Sequence, residues 1–262
     1  MIGFIGGGNM AEALIKGMTT EGMKDILVSE PREERRRELE LRYGIRTAAS
    51  NAAVVQSCDI LVLAIKPQQM EAVLGEIGGQ VDGSKTVVSI AAGITLSYLG
   101  SRLRTDKIVR VMPNTPALIQ EGMSVMSLCE CFTGPEINIV RSILMSIGRV
   151  MALPERFMDA VTALSGSGPA FIALFLETMI AAGEKMGLGR DDATQLAVQT
   201  AVGTAKLLDT GMSPEKLREM VTSPGGTTAA GLKVFEDKGL RSIVADALLA
   251  AKNRAGELGR KA

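Results

Sequence analysis

The chain has 262 residues, 46% hydrophobic and 22% charged, enough to bury one large core or two modest ones. Lys+Arg and Asp+Glu both total 29 with no basic or acidic tail, which removes the electrostatic footprint of nucleic-acid binding. Histidine is absent, so Ser-His-Asp and Cys-His nucleophile pairs, imidazole acids and almost every catalytic zinc site are excluded, and no metal is expected.

From Met1 to Leu153, short β-type runs alternate with helix-type runs. The strands are expected at Ile2–Ile5, Ile26–Ser29, Asp59–Ile65, Thr86–Ile90, Lys107–Val111, Met123–Leu128 and Arg149–Leu153. Between them, Asn9–Thr20, Arg32–Tyr43, Gln68–Gly79 and Pro135–Ile147 repeat apolar residues at three- and four-residue spacing and read as crossover helices. The charged block Pro31–Glu38 reads as a solvated helix face with i,i+4 pairs. After Leu153 the β pattern stops. Helices are expected at Pro169–Met186, Arg190–Asp209, Pro214–Val221, Thr227–Asp237 and Leu240–Gly256, with Gly or Pro at each break. The fold class is therefore α/β, an N-terminal Rossmann-type doubly wound sheet over 1–153 followed by an all-α C-terminal domain over 154–262, with the boundary between Pro154 and Gly168.

Cys58, Cys129 and Cys131 form no CxxC pair, and no disulfide framework is expected. No signal-peptide pattern opens the chain, so a cytoplasmic location is expected. The longest apolar stretch, Ala170–Ala182, contains Glu177 and is shorter than the roughly 20 residues a bilayer requires, so no membrane span is expected.

The chemistry begins at Gly6-Gly7-Gly8-Asn9-Met10-Ala11, a G-x-G-x-x-A turn between a strand and a helix. Gly6 permits the tight turn, Gly8 lets backbone approach a pyrophosphate, Ala11 lets helix meet strand, and the helix N-terminus faces the anion. About twenty residues on, Glu30 stands where an acidic side chain grips ribose hydroxyls and favours NAD, yet Ser29 and Arg32 beside it suit the 2′-phosphate of NADP. Both cofactor forms stay open. A nicotinamide enzyme without histidine suits a substrate that accepts hydride without a strong general acid, and an imine is one, because it protonates more readily than a ketone.

Three loops complete the pattern. Val111–Ala117 carries two prolines beyond a strand and is a candidate nicotinamide floor. Leu164–Ala170 combines glycines with Pro at a helix start, and Thr222–Thr228 is a Gly-Gly turn entering a helix. Each reads equally as a ligand loop or as plain helix-entry grammar, the second as a site for a carboxylate.

Together GFIGGGNMAEAL, AIKP (Ala64–Pro67), SIAAG (Ser89–Gly93), RVMPNTPA, LSGSGPAF and VTSPGGTTAAGL (Val221–Leu232) resemble the pyrroline-5-carboxylate reductases along essentially the whole chain. The resemblance implies reduction of 1-pyrroline-5-carboxylate to L-proline with NADPH or NADH, by a homodimer that assembles further. It implies that Gly6, Gly7, Gly8, Asn9, Met10 and Ala11 hold the pyrophosphate and that Ser29, with Arg32 nearby, meets the adenosine ribose. Asn51, Ala64, Ile65, Lys66 and Pro67 line the cofactor groove, and Ala91, Ala92 and Gly93 border the nicotinamide. Substrate falls to Ser223, Gly225, Gly226, Thr227 and Thr228, the Thr228 hydroxyl facing the ring nitrogen, with Glu155 nearby. Relatives often carry a polar residue where Met220 stands. Two other readings exist: a β-hydroxyacid-dehydrogenase-type reductase using Lys185, and a non-catalytic NAD(P)-binding sensor.

Overall fold

The computed structural model describes residues 1–129 and 132–261. In chain order its elements are β1 (Ile2–Ile5), α1 (Asn9–Thr20), β2 (Ile26–Ser29), α2 (Glu33–Tyr43), β3 (Arg46–Ala48), α3 (Asn51–Ser57), β4 (Ile60–Leu63), α4 (Met70–Ile77), β5 (Thr86–Ser89), α5 (Leu96–Gly100), β6 (Ile108–Met112), β7 (Gly122–Leu128), α6 (Glu136–Met145) and β8 (Gly148–Ala152). Helices α7 (Met158–Val161), α8 (Gly168–Lys185), α9 (Arg190–Asp209), α10 (Pro214–Met220), α11 (Thr227–Asp237) and α12 (Leu240–Lys261) follow.

One sheet runs in the order β3-β2-β1-β4-β5-β6-β7-β8. Every neighbouring pair is parallel except β6 and β7. The chain order reverses at β1, which has β2 on one side and β4 on the other, so a crevice opens beyond the carboxyl ends of these strands. The strands β2, β4 and β5 are buried at every position because helices cover both faces. One cluster, with Phe4, Leu14, Met18, Val28 and Ile143, fills one side; another, with Ile5, Leu61, Leu63, Met70 and Ile94, fills the other.

The chain separates into two compact units, Met1–Pro169 with Ala250–Ala262, and Ala170–Leu249. The boundary expected between Pro154 and Gly168 stands just ahead of this division at Pro169/Ala170. Within the second only Gly183, Ala193 and Ala197 are buried. Its large apolar residues lie open, among them Ile172 at 60% and Ile243 at 60% exposure.

One expectation is corrected here. Cys129, at the end of β7, is disulfide-bonded, whereas Cys58 is free and buried, with its thiol pushed up to about 11 by burial; Cys131 lies outside the described residues. By length and composition alone, the largely helical span Glu155–Lys185, which contains Ala170–Ala182, is long and apolar enough to cross a bilayer. A helix of this kind serves soluble proteins equally well as a packing surface.

Candidate active site

The G-x-G-x-x-A turn sits where β1 gives way to α1. Gly6 is at φ +99°, and a Cβ there would come 2.6 Å from the Ala64 carbonyl oxygen, so only glycine fits between the ends of β1 and β4. At Gly8 a Cβ would meet nothing within 4 Å, which leaves the face of the turn clear for a ligand's approach. Ala11 is buried against the sheet.

Gly7 is gripped on both sides. Its N–H donates to Glu30 Oε2 at 3.2 Å, and its carbonyl accepts from Arg35 Nε at 2.8 Å. Gly6 N–H donates to the Ser29 carbonyl at 2.9 Å. The amides of Asn9, Met10 and Ala11, in the first turn of α1, have no partner within the helix and are the donors a pyrophosphate would use. These observations fit a dinucleotide.

Arg35 is more than a solvated helix charge: with Arg42 and Tyr43 it also binds Glu12 on α1. Burial pushes the Glu12 carboxyl up, but hydrogen bonds from Arg35, Tyr43 and Arg42 outweigh it and hold the group down at about 2. A lowered folded value contributes stability above the unfolded value near 4.5, which is lost as pH falls towards 2. Glu12→Gln should therefore cost up to about 3 kcal/mol at pH 7. In thermal unfolding the gap between variant and parent should close progressively between pH 5 and 2; a gap unchanged with pH would remove the cluster from the account.

At the end of β2, Glu30 is buried, and Arg32 donates to it from its backbone N–H at 3.1 Å and from Nε at 2.9 Å. Burial raises the Glu30 carboxyl, and the bonds from Arg32 and Gly7 bring it below its ordinary value. Ser29 is buried too, its hydroxyl donating to Asn51 Oδ1 at 2.6 Å. Asn51 in turn donates from Nδ2 to Glu76 Oε2 at 2.7 Å.

The other groove residues line the same edge. Ala64, Ile65 and exposed Lys66 follow β4, with Pro67 opening a 3-10 turn. Ala91, Ala92 and Gly93 follow β5, Gly93 lying against the backbone of Gly259 near the end of α12. Beyond β6, Asn114 accepts from Met123 N–H at 2.8 Å and donates to Ser165 Oγ at 3.3 Å. Ser165 lies in a π-helical stretch, Thr162–Gly166, that joins α7 towards α8; such stretches occur frequently at functional sites. A Cβ on Gly166 would come 2.4 Å from Met112 Cε. The motifs MPNTPA and LSGSGPA, far apart in sequence, thus meet.

Glu155 is engaged by protein groups: its Oε1 accepts from Arg110 Nη1 at 2.9 Å and from Leu96 N–H at 2.8 Å, tying β6 to the start of α5. In the second unit, Gly225 is at φ +68° and Gly226 is pressed against Ser223, whose carbonyl accepts the Gly226 N–H at 3.0 Å. This turn aims Thr227 and half-buried Thr228 from the first turn of α11. Lys185 is exposed in the last turn of α8. Sequence reasoning missed Arg35, Glu76 and Arg110; only an acidic or basic residue facing a motif across the fold would have marked them.

The reversing parallel sheet, the glycine turn with its open face and the helical second unit define an oxidoreductase that uses a nicotinamide dinucleotide. Residues 1–93 match the family model described as NADP oxidoreductase, coenzyme F420-dependent, and 155–258 match pyrroline-5-carboxylate reductase dimerisation. A pyrroline-5-carboxylate reductase of Methanosarcina acetivorans is 40% identical, over 99% of this chain and 98% of its own. Solved structures of that enzyme from Coxiella burnetii (TM-score 0.92, 36% identity, 98% and 97% covered) and, with NADP bound, from Plasmodium falciparum (0.88, 31%, 98% and 97%) share the whole fold. The chain belongs to the pyrroline-5-carboxylate reductase family, and the dimerisation model over its helices makes it a homo-oligomer.

Proposed function

We propose that this chain reduces 1-pyrroline-5-carboxylate to L-proline, using NADPH or NADH, as a homodimer that assembles further in the cytoplasm. The observation that carries the reading is the Gly-Gly turn Ser223–Thr228, which enters α11 with no side-chain cap, in a chain 40% identical to a named reductase over its full length.

A nicotinamide dinucleotide held in the groove would supply the hydride that the imine carbon accepts. The chain's own work is positioning. The amides of Thr227 and Thr228 hold the carboxylate at the start of α11, where the helix dipole favours negative charge. The Thr228 hydroxyl hydrogen-bonds the ring nitrogen, which carries the proton. The first turn of α1 would hold the pyrophosphate, and the small residues Ala91, Ala92 and Gly93 would leave room for the nicotinamide ring. Glu155 serves this arrangement through Arg110 and α5.

Thr228→Ala should lower kcat/KM by about tenfold to a few hundredfold, the loss of one oriented hydrogen bond of roughly 1.5–3 kcal/mol. Initial rates of NADPH oxidation with pyrroline-5-carboxylate measure it, and cofactor affinity should stay within about twofold. Undiminished turnover would take Thr228 out of the mechanism, and absence of turnover in the parent would remove the proposed reaction.

A further inference from the structure

Two carboxylates stand near the carboxyl end of β2, and they differ in what they are free to do. Glu30 is 5% exposed, with its oxygens committed to Gly7 N–H, Arg32 N–H and the Arg32 guanidinium, whose charge offsets its own. Glu76, on α4, is exposed, and among the described residues its one side-chain bond is the one it accepts from Asn51 Nδ2. A carboxylate has no hydrogen to give, so this bond fixes which way the Asn51 amide faces. Oδ1 must then point at Ser29, and it takes the only hydrogen the serine hydroxyl has.

We infer that Glu76, acting through Asn51, sets the choice between a ribose 2′-hydroxyl and a 2′-phosphate at the adenosine end of the cofactor groove. This rests on the reading that the adenosine ribose seats at the end of β2. At this end Ser29 is buried with its hydrogen already spent on Asn51, and a carboxylate stands two hydrogen bonds away. A ribose hydroxyl can donate to such acceptors. A phosphate can only accept, and its charge is opposed by Glu76. Arg32 partly compensates, but its guanidinium is shared with Glu30. The sequence suggested Glu30 as the discriminating acid; its burial and pairing pass that part to Glu76.

The test is the affinity of NADPH and of NADH for the full chain, by titration of cofactor fluorescence, in the parent, Glu76→Gln, Glu30→Gln and Gly8→Val. Glu76→Gln keeps an acceptor for Asn51 and removes the charge. It should improve NADPH relative to NADH by about three- to tenfold at low salt, with the gain shrinking at 0.5 M salt. Glu30→Gln should change the ratio less. If Glu76→Gln moves both affinities equally, or neither, while Gly8→Val weakens both, the groove is correctly placed and Glu76 does not discriminate. If Gly8→Val leaves both cofactors bound as before, the groove itself is wrong and the inference falls with it.

Discussion

Gly6→Val should abolish cofactor binding at any practical concentration, a loss of at least about a hundredfold, or 2.7 kcal/mol, for NADPH and NADH alike. The new side chain would have to adopt φ near +99° and place its Cβ 2.6 Å from the Ala64 carbonyl. Neither can be met without moving the turn, and a left-handed β-branched residue is itself strained. Moving the turn breaks the Gly6–Ser29 bond and displaces the first-turn amides of α1. The informative comparison is Gly8→Val, where a Cβ meets open space. Both variants should lose the cofactor, but thermal unfolding should show Gly6→Val destabilised and Gly8→Val close to the parent. Equal stability of the two would mean the Ala64 contact does not constrain the turn.

The second large effect concerns the helical unit. With only Gly183, Ala193 and Ala197 buried across Ala170–Leu249, this segment has no apolar core of its own. Burying a large aliphatic side chain contributes about 1.5–3 kcal/mol, and Ile172, Leu174, Phe175, Ile243 and Leu249 are all left open. Another copy of the chain must cover them, as the dimerisation model over 155–258 requires. The pair Ile172→Glu and Ile243→Glu would be nearly neutral on a true monomer surface. Here it should dissociate the protein, and turnover should fall at least tenfold, because an uncovered helical unit cannot hold Thr227 and Thr228 in place. Light scattering with parallel assays decides, and a stable, fully active 27.6 kDa parent monomer would overturn the argument.

Where the physics is local, the sequence carried the fold. The first strand, α1, α9 and α11 fall where their apolar spacing and flanking glycines place them. The strand β3 was illegible because Arg46-Thr47-Ala48 has no apolar alternation and is ordered by pairing with β2. Gly256 reads as a helix stop, yet α12 continues to Lys261. There Gly259 lies against Gly93, where a Cβ would come 3.1 Å from the Gly93 carbonyl, and this long-range packing overrides glycine's weak helix propensity. The helix entry read at LSGSGPA is found, with α8 starting at Gly168; what was not legible is the π-helical turn Thr162–Gly166 that precedes it. Of the site, the glycine turn was legible from spacing alone. The bonds Glu30–Gly7, Asn51–Glu76 and Glu155–Arg110 were not, since each joins residues more than twenty positions apart that only the folded chain brings together.

The double grip on Gly7 has an energetic meaning for cofactor binding. A glycine-rich turn is the kind of segment that loses most freedom when a ligand orders it, at roughly 1–2 kcal/mol for each residue fixed. Here Glu30 and Arg35 satisfy both peptide groups of Gly7 before any ligand arrives. The ordering is completed during folding, so the pyrophosphate meets a seat already shaped, and little of its binding energy is diverted to immobilising backbone. Exchanging either side chain would make the turn a flexible loop again and move that entropy from the folding reaction to the binding reaction.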